Sequence, residues 1–98
     1  MKILGYDYRL INEEDHDNAM GRCNFRELFI RIAPNLPKQQ TESTLIHEII
    51  EALAYHLQLG FCGDNKIVST LEAGLYQVLT DAGVDLSPLA KELQNKKR

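Results

Sequence analysis

Two prolines, Pro34 and Pro37, divide the chain into a half with the period of strands and a half with the period of helices. Before them, apolar residues recur at every second position. Leu4, Tyr6, Tyr8 and Leu10 fall on one face of a predicted strand, with Gly5, Asp7 and Arg9 on the other. Leu28, Ile30 and Ile32 repeat the pattern, and Gly21 to Phe25 forms a shorter candidate strand. A turn around Asn24 to Glu27 would pair those two strands antiparallel. Proline has no N–H to give a ladder, so the sheet is expected to end at Pro34 and Pro37. The polar stretch Asn12 to Asn18 reads as a solvated loop, with His16 a surface residue.

After the prolines the spacing becomes helical. From Lys38 to Leu59, the residues Leu45, Ile46, Ile49, Ile50, Leu53 and Leu57 make an apolar stripe, and Gly60 is the expected stop. A second helix is predicted over Asn65 to Ala82, capped by Asp64, ended by Gly83, and packing Ile67, Val68, Leu71, Leu75, Val78 and Leu79 inward. Gly74 within it costs about 1 kcal/mol against alanine, and close approach of another helix is the expected reason. Ser87 and Pro88 open a short amphipathic helix, Leu89 to Gln94. Strands first and helices after is the α+β order. The expected architecture is a small N-terminal antiparallel β-sheet packed on two main helices plus a short C-terminal helix. It fits one domain over 1–98: a sheet region at 1–36, helices at 37–60 and 64–83, and a short helix at 87–95.

The formal net charge of -3 argues against binding nucleic acid, which needs a basic surface. The only basic run, Lys96-Lys97-Arg98, reads as a solvated terminus. No apolar stretch is long enough to span a bilayer, and residues 1–7 lack the apolar core of a signal peptide, so a cytoplasmic location is expected. In that compartment Cys23 and Cys62 should be reduced. Neither belongs to a CxxC pair, so they make a weak zinc site.

The segment that carries chemistry is Thr44-Leu45-Ile46-His47-Glu48-Ile49-Ile50-Glu51-Ala52-Leu53. His47 and Glu51 are four residues apart and lie on nearly the same side of a helix. Two readings of that side are open. One is a solvated face. The other is a metal site with His47 and Glu51 as ligands one turn apart and Glu48 as general base for the metal's water. The usual motif is His-Glu-x-x-His, and Glu51 stands where its second histidine would be. Carboxylate oxygen also ligates zinc. His56, nine residues after His47, is half a turn out of phase and reads as a partly buried histidine.

The run Pro37 to Leu53 resembles small phage and prophage proteins of the ImmA/IrrE-type branch of the zincin metallopeptidases, whose usual string is Thr-Leu-Leu-His-Glu-Ile-Ile-His-Ala. Val68 to Leu79 resembles their second helix, with its Leu-x-x-Gly-Leu-Tyr-x-Val-Leu signature. The resemblance covers roughly residues 2 to 82. It implies a zincin-like fold, His47 and Glu51 as zinc ligands, and Glu48 polarising the metal-bound water. A third ligand would fall near Asp64 or Asn65, with Glu72 a weaker choice. The strand Leu28 to Ile32 would be the edge to which a peptide adds. This chain has no glutamate at 64 or 65. A His/Glu/Asp set carries more negative charge than zinc sites prefer, leaning toward harder ions or weak occupancy. The implied functions are a degenerate metallopeptidase homologue acting through a protein or peptide partner, an active metal-dependent peptidase, or a structural and assembly domain.

Overall fold

The computed structural model describes residues 1–95; the basic run Lys96-Lys97-Arg98 lies outside the described residues. Lys2–Ile3 (β1) and Tyr6–Asp7 (β2) form an antiparallel hairpin. The continuous strand expected over 4–10 is therefore broken. Leu4 (φ 53°) and Gly5 (φ 85°) both have positive φ, as the two central residues of a tight I′-class hairpin turn require. The chain returns with the same alternation, so period two alone could not reveal the reversal. Leu4 and Tyr6 end up about half exposed, while Tyr8 and Leu10 are buried.

Arg9–Asn12 (β3), Gly21–Asn24 (β4), Phe29–Ile32 (β5) and Gln94–Asn95 (β6) make a four-stranded sheet in the order β4-β5-β3-β6. The β4–β5 hairpin is antiparallel as expected. Its turn is built by Asn24, whose Oδ1 accepts from the N–H groups of Arg26 and Glu27 at 3.0 and 2.8 Å. β3 runs parallel to both β5 and β6, so the sheet is mixed. The loop before β4 is ordered rather than merely solvated. Asp15 is 9% exposed and accepts from Asp17 N–H (2.9 Å) and from Arg22 Nε (2.7 Å). Those bonds, Arg22's first, hold its carboxyl well below the usual carboxylate range. His16 is exposed.

The helices are Lys38–His56 (α1), Asn65–Asp81 (α2) and Ser87–Lys91 (α3), completing the α+β fold. α1 stops before the expected Gly60. Gln58 takes the left-handed conformation (φ 56°), with Leu59 N–H donating to Ala54 O and Gln58 N–H to Tyr55 O, a Schellman closure without glycine. α2 begins as expected, with Asp64 Oδ1 accepting from Ile67 N–H at 3.2 Å, and closes the same way at Gly83. α3 is shorter than expected, and residues 94–95 leave it to pair with β3.

The core joins Ile3, Tyr8, Leu10, Ile30, Ile32, Leu45 and Ala52. α1 lies across the sheet, with α2 packed on it from the other side. Two expectations about α2 fail. Val68 is buried, but Ile67, Leu71, Leu75 and Val78 are 42–63% exposed. A Cβ on Gly74 would meet nothing within 4 Å, so no helix approaches there. Among the described residues, no helix is long and apolar enough to cross a membrane.

Candidate functional site

α1 and α2 meet along a polar seam. Residues 65, 69, 72 and 76 recur at helical spacing on α2, and they face 44, 47 and 51 on α1. His47 Nδ1 lies 3.0 Å from Glu72 Oε1, both side chains being largely covered. A carboxylate offers only lone pairs, so Nδ1 carries the hydrogen of this contact. Ser43 Oγ donates to the other oxygen of Glu72. Tyr76 Oη donates to Glu42 Oε1 at 3.1 Å further along the seam.

Where this seam opens toward β4 there is a groove. One part, of about 300 Å³, is lined by Arg22, Cys23, Phe25, Glu51 and Cys62 among others. A second part, of about 400 Å³, is lined by Gln40, Thr44, Ser69 and Glu72 among others. Gly21, His47, Glu48 and Asn65 line both parts, so the two adjoin at His47 and Glu48. Gly21 makes the close passage of β4 over α1. A Cβ there would lie 2.5 Å from Thr44 Cγ2 and 3.0 Å from Glu48 Oε2.

Glu48 is 7% exposed, which rules out the solvated-face reading for this residue. Burial pushes its carboxyl up to about 7; Glu51 and Glu72 act in the same direction, against His47 and Arg22. Cys23 is pushed up to about 12, by burial first and then by the charges of Glu48 and Glu51. Both cysteines are therefore free thiols and poor nucleophiles.

The other expected site residues are engaged separately. Glu51 Oε1 accepts from Gly63 N–H at 3.0 Å, tying α1 to the loop before α2. Asp64 caps α2 and lines neither part of the groove. Asn65 does reach the groove, but its amide is a poor zinc ligand. Among the described residues, no three His, Cys, Asp or Glu side chains are grouped to hold an ion. This donor set does not fit zinc. Outside the groove, the Tyr8 hydroxyl, pushed up to about 12 chiefly by burial, is hydrogen-bonded with His56 Nε2 at 2.6 Å while Tyr6 stacks on that ring.

Sequence reasoning ranked Glu72 below Asp64 as the residue to join His47, yet Glu72 is the one that reaches it. The signal was present: Glu72 follows Asn65 by two turns, on the same polar row. It also misplaced the open edge of the sheet. β5 is interior, and β4 is the free edge beside the groove. Ala33 N–H donates to Met20 O, and antiparallel pairs alternate. Gly21 and Cys23 therefore direct their backbone N–H and C=O groups outward.

No family model, curated protein or solved structure matches the chain.

Proposed function

We propose that this chain is a zincin-like domain, a degenerate metallopeptidase homologue, that binds an extended peptide segment without hydrolysing it. The observation that carries the reading is the free edge of β4. Its outward groups at Gly21 and Cys23 border a groove wide enough for side chains. A bound peptide would add as a further strand, its backbone satisfied by β4 and alternate side chains lodged in the groove. His47, Glu48 and Glu72 would then select polar or basic groups in the ligand. Loss of hydrolysis is supported by the separate engagements of Glu51 and Asp64.

A second reading, hydrolysis, is favoured by Glu48, which lines the groove and titrates close to neutrality, where a general base works best.

One experiment divides them. The full chain is screened against arrayed unstructured peptides, and bound peptides are recovered and weighed by mass spectrometry. Intact peptides are expected. Cys23→Pro, which removes an outward N–H at an edge where proline is tolerated, should abolish capture, and Cys23→Ser should retain it. Capture that survives Cys23→Pro in a folded protein would overturn the strand-addition reading. Cleavage that disappears in Glu48→Gln would establish the hydrolase instead.

A further inference from the structure

Three carboxyl side chains are buried among the described residues: Asp15, Glu42 and Glu48. Two of them are met within the chain. Asp15 is paired with Arg22, and Glu42 accepts from Tyr76 and lies 3.7 Å from Lys38 Nζ. Glu48 is only 7% exposed, yet among the described residues it makes no hydrogen bond and no ion pair. A buried carboxyl offers acceptor oxygens in either protonation state, and leaving them unmet is costly. Glu48 Oε2 lies beneath Gly21, 3.0 Å from where a Cβ would stand, and Glu48 lines both parts of the groove. The unmet oxygen is therefore aimed at the space beside β4.

The surroundings call for a cation there. Glu51 lines one part of the groove and Glu72 the other. His47, next to Glu48 on α1, already contacts Glu72. Arg22, the one lysine or arginine in the lining among the described residues, gives its guanidinium to Asp15 at 2.7 and 3.0 Å. We propose that the strand added at β4 carries a lysine or arginine opposite Gly21, and that its charged head pairs with Glu48. This rests on the strand-addition reading and specifies its ligand. Paired residues of neighbouring strands point their side chains to the same face, with Cβ atoms about 4.5–5.5 Å apart. A Cβ on Gly21 would point at Thr44 and Glu48, so the peptide residue opposite Gly21 points toward them too. A lysine or arginine stem covers that sideways step, and a short side chain does not. The peptide residues on either side point to the other face. Selectivity therefore falls on one position and skips its immediate neighbours.

Peptides captured from the array by the full chain test this at pH 8, above the value to which burial raises Glu48. Fluorescence anisotropy gives each Kd. Every captured peptide is expected to hold one basic residue whose replacement by glutamine weakens binding by about tenfold or more. Replacing either adjacent residue should change little. Glu48→Gln, with its fold checked by circular dichroism, should bind the basic peptide and its glutamine version alike, since the counter-charge is gone. Peptides indifferent to loss of their basic residues would overturn this inference and leave strand addition standing. So would a basic preference that persists in Glu48→Gln. Capture that survives Cys23→Pro, or no capture of any peptide, overturns the strand-addition reading and this inference with it.

Discussion

Glu48→Gln is expected to stabilise the protein, and to do so only as the pH rises. The carboxyl is raised from 4.5 to about 7, mainly by burial. The native state therefore keeps a proton that the unfolded chain surrenders. The favourable contribution is complete below 4.5 and is lost as pH rises through the folded-state value. At about 1.4 kcal/mol per pH unit, the rise corresponds to about 3 kcal/mol. Glutamine keeps the shape of the protonated acid and has no charge to bury. Wild type and variant should thus have similar unfolding free energies at about pH 4.5, and diverge to about 3 kcal/mol in the variant's favour by about pH 8. Urea unfolding monitored by circular dichroism at a series of pH values measures both curves. Two curves that run parallel would refute the reasoning, because a buried, charge-averse Glu48 requires the gap to open with pH.

Gly21→Ala is expected to destabilise by about 1–3 kcal/mol, since its methyl would press on Thr44 Cγ2 and Glu48 beneath β4; an unchanged thermal melt would mean the strand can lift freely. Gln58→Gly is expected to stabilise by about 1 kcal/mol, roughly 4–8 °C in Tm, by relieving a left-handed side-chain residue at the end of α1. Differential scanning calorimetry reads it, and a lowered Tm would show that the Gln58 side chain holds the closure.

The parts legible in the sequence were those governed by short-range chemistry. The Asn24 turn, the β4–β5 hairpin, the Asp64 cap and the Gly83 stop all depend on neighbours within a few residues. The left-handed residue at Gln58 was hidden because glycine two positions later offered a cheaper candidate. The inward face of α2 was misjudged for a different reason. Hydrophobicity ranks faces by their aversion to water, and Ile67, Leu71, Leu75 and Val78 outrank Asn65, Ser69 and Glu72. What turned the polar row inward was a matching polar row on α1, a pairing between segments that no single-helix pattern contains. The same holds for the site. His47 and Glu48 were singled out by local spacing, whereas the His47–Glu72 contact spans 25 positions. Glu51 and Asp64 sat at the right intervals in the chain, and each found a nearer backbone donor.

The parallel pairing of β6 with β3 has a bearing on synthesis. Ile11 and Asn12 meet Gln94 and Asn95, so one flank of β3 waits for a partner made more than 80 positions later. At about 5–20 residues per second, a ribosome would expose that bare flank for several seconds after β3 emerges. During this interval the nascent chain offers the kind of unpaired strand border to which other growing chains can attach. A holdase would shield it until β6 arrives.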